Sequence, residues 1–527
     1  MLVGSIQSQR HLFAPRRVER QMDLPLNEPI FSANLVEGTD ERQDPYLLVP
    51  SPEALQSVGP EGLAARLARL NIVVDEQIPL VKGFTAVMNQ ANRELAEKAG
   101  FEAIPNDEET FLHPEPWERK QQRSADGPVA PPPGPRQPLE NPRFLTPLTQ
   151  TYTGKGVGIA VIDTGIYPHP DLAYPHQRIV AFQDFVNGKS VPYDDNGHGT
   201  HVAGDAAGSG FLSGGIHRGT APDANLIGVK VLDKSGRGST SRILQGLNWA
   251  VENKARYNIR VINLSLGTGD TSARSTNDPI RKAVERAVEE GIVVVVSAGN
   301  QGPELGTISS PGDSPSVITV GAVDDRNTPD RSDDRIPSFS SRGEAGSSKP
   351  DLVAPGEGII GPNAPNSVLE ATARKYTDVH RTLDWLQKMP DSELVNVPAP
   401  TLRMIGLNGS SIVRFHKSPS HARQELDHLL EATERLPMVE TDYIGMPGTS
   451  MAAPIVAGVV AEMLEANPHL TPAEVKEILR DSATPMPAYR SESQGAGMIN
   501  PDRALSLAIQ RNKQPDDNGQ LKLPLWG

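Results

Sequence analysis

Apolar segments alternate with amphipathic helical patterns along the larger, C-terminal part of the chain. Five mostly apolar segments predict buried strands, at residues 157–162, 226–232, 261–266, 292–297 and 317–320. Helical patterns lie between them, for example at 241–255 and 278–290, and Thr471-Pro472 marks another helix start. Buried strands separated by helices are typical of a parallel sheet that helices cover on both faces. The pattern predicts a doubly wound, mostly parallel α/β domain over residues 146–513.

A smaller unit with a different pattern precedes this domain, at residues 44–113. Its predicted elements are strands at 46–49, 72–74, 80–87 and 101–104 and helices at 61–70 and 92–99. Their order, β-α-β-β-α-β, is that of the split βαβ, or ferredoxin-like, motif. A unit of 70 residues can bury a core of its own. We therefore expect a separate small α+β domain here.

The segments outside these two domains are polar, and one of them is rich in proline. Residues 1–43 are interpreted as an extended arm and residues 514–527 as a loose tail. Residues 114–145 contain six prolines between Pro128 and Pro138, together with glycine and charged residues. This composition predicts an extended, semi-rigid linker. Both a simple spacer and an exposed, cleavable connection fit it.

The composition argues against several classes of protein. The formal net charge of −14 argues against a nucleic-acid partner, because phosphates would be repelled. No apolar run approaches the roughly 18 residues of a membrane span, so no membrane partner is expected. The chain has no cysteine, which removes disulfides and thiol catalysis. The N-terminus lacks the apolar core of a signal peptide, which predicts a cytoplasmic protein; a secreted protein that had lost its leader would look the same.

Four polar residues stand where acyl-transfer chemistry would need them. Asp163 ends an apolar strand, the place where α/β sheets present ligand-binding groups. His198 lies between glycines at the start of a small-residue helix, and Ser450 opens another such helix, whose N-terminus can stabilise an oxyanion. Asn300 follows a buried strand and offers an amide donor. Ordinary alternatives exist for single residues, namely a capping aspartate, an N-cap serine and a turn asparagine.

His201 follows His198 by three residues, which raises the alternative of a metal site. No third ligand is placed nearby along the sequence. We therefore interpret His201 as a packed, hydrogen-bonded helix residue.

Asp163, His198 and Ser450 each lie in a distinct sequence block. Together the three blocks resemble the subtilisin (subtilase) family of serine endopeptidases. The blocks are Asp-Thr-Gly at 163–165, His-Gly-Thr-His-Val-Ala-Gly at 198–204 and Gly-Thr-Ser-Met-Ala-Ala-Pro at 448–454, in the family's order. The similarity extends over most of residues 150–360 and 440–510. Further stretches, such as Ser-Phe-Ser-Ser-Arg-Gly at 338–343, are most similar to the intracellular alkaline-protease-like branch, which agrees with a cytoplasmic location.

The resemblance implies a role for each residue. Ser450 would attack the scissile carbonyl, His198 would take up and return the proton, and Asp163 would orient the imidazole. Asn300 and the Ser450 N–H would bind the oxyanion. The segments that bind substrate would be Ser265-Leu266-Gly267, Gly236-Arg237-Gly238 and Ser297-Ala298-Gly299. Substrates would be proteins or peptides bound as an added strand, no catalytic cofactor would be needed, and an uncharged pocket predicts a broad, hydrophobic-leaning specificity.

The resemblance also implies that residues 44–113 are an inhibitory propeptide. Such a unit assists folding, blocks the cleft with its C-terminal end and is then cut off. We expect a zymogen that processes itself between Thr110 and Arg123. A stable N-terminal domain that is never cleaved is the alternative.

Residues 362–442 are an insertion relative to the family. They predict a helix at 368–389, a hairpin at 402–415 that turns at 407–410, and a second helix at 421–436. Surface elaboration, a lid over the cleft and a docking module for a partner are the three interpretations.

Structural calcium is the candidate metal. Asp171 lies in a loop where many subtilases bind calcium, and further carboxylates come from Asp184, Asp194, Asp195 and Asp205. Solvated surface acids are the alternative.

Two other functions share parts of this pattern. A catalytically inactive, binding-only relative would have lost a member of the triad, and none is lost here. An α/β-hydrolase esterase would carry a Gly-x-Ser-x-Gly elbow and the chain order Ser, Asp, His, neither of which is present.

Overall fold

The computed structural model of the chain describes residues 43–113, 144–268, 278–433, 438–440 and 442–512. The predicted N-terminal arm, apart from its last residue, lies outside the described residues. So do residues 114–143 of the predicted linker and the C-terminal tail.

The N-terminal domain is a four-stranded antiparallel sheet with two helices on one face. Its elements are β1 (Asp44–Pro50), α1 (Pro52–Arg69), β2 (Glu76–Ile78), β3 (Gly83–Met88), α2 (Gln90–Lys98) and β4 (Phe101–Pro105), followed by a separate short strand, β5 (Glu109–Thr110). The strand order is β2-β3-β1-β4. The prediction of a strand at 72–74 was wrong, because this stretch has no regular structure and β2 begins two residues later.

The larger domain alternates strands and helices. Its elements up to the insertion are α3 (Pro147–Thr151), β6 (Gly158–Asp163), α4 (Pro170–Ala173), β7 (Ile179–Asp184), α5 (His198–Ala207), β8 (Asn225–Lys230), β9 (Arg237–Gly238), α6 (Thr240–Glu252), α7 (Lys254–Tyr257), β10 (Ile259–Leu264), α8 (Pro279–Glu289), β11 (Val293–Ser297), β12 (Ile318–Val323), β13 (Leu352–Pro355) and β14 (Ile359–Pro362). The remaining elements are α9 (Val368–Gln387), α10 (Asp391–Leu394), α11 (Ala399–Met404), α12 (Gly409–Phe415), α13 (Pro419–Thr433), β15 (Met438–Glu440), β16 (Tyr443–Met446), α14 (Thr449–Ala466), α15 (Pro472–Ser482), α16 (Ser491–Gln494) and α17 (Pro501–Asn512).

A seven-stranded parallel sheet forms the centre of this domain, in the order β13-β12-β11-β10-β6-β8-β7. Every neighbouring pair runs parallel, so all the strands end at the same edge. The predicted doubly wound α/β fold is confirmed. The sequence pattern missed β7 and β13, because β7 ends in polar residues and β13 has only four residues and ends in proline.

Helix α14 runs through the hydrophobic core on one side of the sheet. All of its residues except Glu465 are buried. By length and composition it is the one helix among the described residues that could cross a membrane, but its burial inside the domain accounts for its apolar composition. Helix α15 starts as predicted, with a capping box between Thr471 and Glu474.

The two domains pack face to face. Alternation along β1 sends Leu48 to the N-terminal helices and Leu47 to the opposite face of the sheet. That second face joins the core around Ile243 and Leu247 of α6 and Ile280 of α8. Polar contacts frame this apolar interface. Asn106 exchanges hydrogen bonds with the backbone N–H and the hydroxyl of Ser241 at 2.9 and 2.8 Å, and Arg242 pairs with Glu108 at 2.9 Å.

The insertion is a helical subdomain, and the predicted hairpin at 402–415 was wrong. This stretch forms α11 and α12, and Asn408 caps α12 by accepting the Ser411 N–H at 3.0 Å. Asn-Gly is a hairpin signal, but asparagine is equally a helix N-cap. Burial decides between them, because Ile412 and Phe415 lie three residues apart, as on one face of a helix, and join the subdomain's own core together with Leu402.

Candidate active site

Three adjacent strands bring predicted site residues to one edge of the sheet. β6 ends at Asp163, β10 leads into Ser265, and β11 leads into Asn300. Ligands of open α/β sheets bind at this carboxyl edge. Helices α5 and α14 begin there as well, with His198 and Ser450 in their first turns, and they pack against each other in the same core.

His198 is hydrogen-bonded to Asp163 in a buried environment. Its Nδ1 lies 2.8 Å from Asp163 Oδ1, which also accepts the Thr164 N–H at 2.7 Å. A carboxylate accepts hydrogen bonds, so Nδ1 carries the proton and Nε2 is the basic nitrogen of the neutral ring. The first turn of α5 lies very close to the loop after β6, since a Cβ added to Gly199 would lie 2.2 Å from the carbonyl oxygen of Gly165.

Asp194 holds the loop that leads into His198. Its Oδ1 accepts the N–H groups of Asn196 and Gly197 at 3.1 and 2.8 Å. Its Oδ2 accepts the N–H and the hydroxyl of Thr200 at 2.9 and 2.7 Å. This carboxylate therefore fixes the backbone on both sides of the histidine.

The insertion supports the same loop from outside. The N–H of Val368 donates to the carbonyl of Asp195 at 3.1 Å, and that of Leu369 to the carbonyl of Asn196 at 2.9 Å. The start of helix α9 thus helps to hold the loop that leads into His198.

Ser450 lies in the first turn of α14, directly beside the end of β10. Gly448, the residue before the helix, has a φ of 151° that other residues rarely adopt. The hydroxyl of Ser265 donates to the carbonyl of Ser450 at 2.8 Å, and Ser450 Oγ lies 3.3 Å from the carbonyl oxygen of Ser265. The first N–H groups of a helix have no acceptor within it, so the Ser450 N–H is suited to bind a developing anion.

The amide of Asn300 is held in one orientation by Thr449. Asn300 Oδ1 accepts the Thr449 N–H at 3.0 Å and the Thr449 hydroxyl at 2.9 Å. Its Nδ2 lies 3.6 Å from the position of a Cβ on Gly448. The amide donor is therefore directed toward the N-terminus of α14, where Ser450 stands.

A segment of the chain itself occupies the cleft between the two predicted substrate-binding strands. On one side β5 pairs antiparallel with β9, with Glu109 opposite Gly238 and Thr110 opposite Arg237. On the other side the Gly267 N–H donates to the carbonyl of Phe111 at 2.9 Å. Residues 109–111 thus lie as an additional strand between the segments 236–238 and 265–267.

The side chain of His113 is buried in a pocket at the end of this strand. We call the pocket formed by Gly267, Ser297, Gly299 and Ser309 the specificity pocket, because three of these residues belong to the substrate-binding segments predicted from the sequence. The imidazole Cε1 would lie 2.7 Å from a Cβ on Gly267 and 3.4 Å from one on Gly299, so the ring sits where both residues lack side chains. Its Nε2 lies 3.1 Å from Ser297 Oγ. Burial and the neighbouring His198 lower the pKa of His113 to about 4.

Both ring nitrogens of His201 lie within hydrogen-bond distance of groups of the protein, as expected for a packed helix residue. Its Nδ1 lies 2.9 Å from Asp205 Oδ2, and its Nε2 lies 2.8 Å from the carbonyl oxygen of Ile444. It therefore connects α5 to β16, the strand that precedes Ser450. No group of three or more histidine, aspartate or glutamate side chains in the described part of the chain converges as a metal site would.

The acids considered for calcium do not form an oxygen cluster. Asp171 accepts the Tyr443 hydroxyl at 2.7 Å and the Leu212 N–H at 3.0 Å. Asp195 pairs with Lys230 at 2.8 Å, and the remaining three carboxylates, Asp184, Asp194 and Asp205, each accept from nearby backbone or side-chain groups. Calcium is bound by six to eight oxygens around one point, and the five carboxylates do not converge in this way, so they give the prediction of structural calcium no support.

Comparison with known proteins decides the family. The sequence pattern described as the subtilase family matches residues 154–498. The chain belongs to the subtilase family. It is therefore a subtilisin-like serine endopeptidase, as the three sequence blocks predicted.

Two subtilase relatives and one solved structure illustrate the likeness. Serine protease AprX of Bacillus subtilis is 42% identical over 363 residues, which cover 68% of this chain and 67% of AprX. Subtilisin E of the same species is 40% identical over 216 residues, which cover 40% of this chain and 49% of subtilisin E. Fervidolysin from Fervidobacterium pennivorans, a keratinolytic enzyme related to subtilisin, matches with a TM-score of 0.55 and 22% identity over 88% of this chain and 61% of its own, a likeness in fold.

Three residues of this subtilase site were not singled out from the sequence. Thr449 orients Asn300, His113 fills the specificity pocket and Ser309 lines it. Thr449 adjoins Ser450, which was the only signal for it. His113 is followed by proline at the end of the N-terminal domain, but nothing in its surroundings along the chain connects it with β11.

Proposed function

We propose that this subtilase hydrolyses peptide bonds with Asp163, His198 and Ser450 as its catalytic triad. Ser450 Oγ attacks the scissile carbonyl carbon while His198 Nε2 takes its proton. The tetrahedral intermediate expels the amine, which receives that proton, and an ester to Ser450 remains. Water then attacks the ester in the same way and releases the acid product. The 2.8 Å hydrogen bond between His198 and Asp163 carries the proposal, because it fixes the tautomer that leaves Nε2 basic.

Asn300 and the Ser450 N–H bind the oxyanion in this mechanism. The Ser450 N–H belongs to α14, and Thr449 fixes the Asn300 amide through two hydrogen bonds to its Oδ1. Donors that are already oriented need no rearrangement when the negative charge develops, which is where their stabilisation is greatest.

The N-terminal domain acts as an intramolecular inhibitor in our proposal. Its sheet buries an apolar face on α6 and α8, and its C-terminal end supplies the strand that lies in the cleft. A substrate would use the same two backbone edges and the same pocket as residues 109–113. While this strand is bound, a protein substrate has no free edge to pair with.

In our proposal the chain is a zymogen that processes itself, and the register of the bound strand supports one bond as the site of the cut. Phe111 pairs with Gly267, and His113 enters the pocket two residues later, which supports the bond after His113 as the one presented to Ser450. This bond precedes Pro114 and lies within the predicted interval from Thr110 to Arg123.

Three measurements on the purified chain test this function together. We expect casein hydrolysis, its inhibition by a serine-directed phosphonate, and loss of activity in Ser450→Ala. Ser450→Ala should also stay full length, whereas N-terminal sequencing of the wild type should find a new terminus beyond residue 113. An active wild type with an intact N-terminus would refute the inhibitor and processing part, and casein hydrolysis by Ser450→Ala would refute the triad.

A further inference from the structure

Hydroxyl groups line the specificity pocket together with glycine backbone. Ser297 and Ser309 are both buried. Ser309 Oγ lies 2.9 Å from the position of a Cβ on Gly267, which is the place that the His113 ring approaches. Within the described residues, Ser309 Oγ and His113 Nδ1 have no hydrogen-bond partner. The pocket is therefore more polar than we expected from the sequence, where glycine, alanine and leucine surround the serines of the two segments.

The chain's own occupant of this pocket uses one of those hydroxyls. Ser297 Oγ, at the end of β11, pairs with His113 Nε2 at 3.1 Å. A purely apolar side chain in the same place would leave the buried Ser297 hydroxyl without a partner. A buried polar group that loses its hydrogen bond is costly, and enzyme sites built around such a bond reject analogues that lack it.

The shape of the pocket favours a flat side chain. Gly267 and Gly299 both lie against the imidazole, close enough that a Cβ on either would touch the ring. A planar ring fits the narrow space between the two glycines, and a nitrogen at its edge can form the hydrogen bond with Ser297.

We propose that Ser297 makes this subtilase select a hydrogen-bonding side chain, histidine above all, on the residue before the scissile bond. This inference rests on the proposed function, because it treats His113 as occupying the place of a substrate residue. It differs from the broad, hydrophobic-leaning specificity that the sequence predicted, and the substrate competition below distinguishes the two.

The pocket takes the histidine in its neutral form. Burial and the neighbouring His198 both disfavour a positive charge on the ring, and the pKa of His113 is lowered to about 4. Lysine and arginine, which stay charged at neutral pH, are therefore expected to be poor residues at this position.

Competition between peptide substrates tests the proposal. Two peptide anilides are hydrolysed in one mixture, and their products are separated by chromatography. One is acetyl-Thr-Phe-Leu-His-p-nitroanilide, which copies residues 110–113. The other has phenylalanine in place of histidine. The ratio of their kcat/KM values does not depend on how many clefts the N-terminal domain still occupies. We expect the wild type to favour the histidine substrate, and Ser297→Ala to lower the histidine-to-phenylalanine ratio about tenfold. Ser309→Ala, which removes a hydroxyl that His113 does not use, should shift the ratio much less.

The outcomes are separable. A wild type that prefers phenylalanine, or a Ser297→Ala ratio equal to that of the wild type, would overturn the inference while casein hydrolysis remains. A shift in Ser309→Ala as large as that in Ser297→Ala would overturn the assignment to Ser297. Loss of casein hydrolysis in the wild type would reject the proposed function itself. Even where a variant fails to fold, a wild type that prefers the phenylalanine substrate overturns the proposed selection of histidine.

Discussion

Thr449 donates two hydrogen bonds to Asn300 Oδ1, one from its backbone N–H at 3.0 Å and one from its hydroxyl at 2.9 Å. The residue next to the proposed nucleophile thus orients the proposed side-chain donor of the oxyanion site. Thr449→Val removes the hydroxyl and keeps the shape and the backbone N–H. We expect kcat to fall about tenfold with little change in KM, since the donor acts mainly on the transition state.

Asn300→Ala is the matched comparison for this prediction. It removes the donor itself and should lower kcat about 10²- to 10³-fold. Equal kcat values in Thr449→Val and the wild type would show that Asn300 holds its orientation without the hydroxyl.

Asp163→Asn should keep the fold and lose most of the activity. An amide can donate to His198 Nδ1, which would shift the imidazole proton to Nε2 and remove the base that Ser450 needs. We expect kcat to fall about 10⁴-fold in casein or peptide assays. Asp184→Asn is the control, because Asp184 also ends a strand of the same sheet and accepts backbone N–H groups. A comparable loss in both variants would mean that Asp163 supports the fold rather than the chemistry.

Pro114→Ala should accelerate self-processing. In the wild type the bond after His113 has a proline nitrogen as leaving group, whose ring restricts how it can be placed for protonation by His198. With alanine we expect faster conversion on a gel time course and a new N-terminus at residue 114. Pro128→Ala, a change elsewhere in the proline-rich segment, should leave the rate unaltered. An unchanged rate in Pro114→Ala would place the first cut at another bond.

Occupancy of the specificity pocket by His113 should decrease as the pH falls. The docked ring has a pKa of about 4, against the ordinary value of 6.5. Well above pH 6.5 the ring is neutral in both states, so docking does not depend on its protonation. Between pH 6.5 and 4 only the undocked ring takes up a proton, so undocking becomes about tenfold more favourable per pH unit.

A fluorescent peptide without histidine, added to Ser450→Ala, measures this effect by anisotropy. Its apparent affinity should rise from pH 7 to pH 5, because it competes with the docked strand. His113→Asn in the same background should remove the rise. A flat profile with His113 present would contradict the docked state described here.

Tyr443→Phe should destabilise the larger domain. The hydroxyl donates to the buried carboxylate of Asp171 at 2.7 Å, and its loss leaves that oxygen without this donor. We expect a loss of about 1–3 kcal/mol in the free energy of unfolding, measured with urea in the Ser450→Ala background to prevent autolysis. Tyr376→Phe, a half-buried tyrosine of the insertion, should have little effect.

Burial on both faces is what made much of the fold predictable. β6, β8, β10, β11 and β12 consist mostly of buried apolar residues, and the polar residues that the motifs single out lie at or just after the carboxyl ends of β6, β10 and β11. The four-residue strand β13 offers too little pattern. At Asn408 the local signal fits a turn and a helix cap equally well, and only packing of Phe415 against the insertion's core decides.

The occupant of the specificity pocket could not be predicted, for a different reason. His113 and Ser297 are 184 residues apart, and their contact depends on how the two domains dock and on the register of β5 with β9. Neither is a property of local sequence. Cytoplasmic location and structural calcium stay predictions, the latter without support from the acids first considered.

β5 belongs to the same polypeptide as the cleft that it fills. A tethered ligand acts at an effective concentration that reaches the millimolar range for short connections, whatever the concentration of the protein. Cutting the chain after residue 113 would turn the N-terminal domain into a separate molecule whose binding obeys mass action. The separated domain would then stay bound at high enzyme concentration and dissociate on dilution. The cut would therefore make the fraction of inhibited protease depend on the protease concentration.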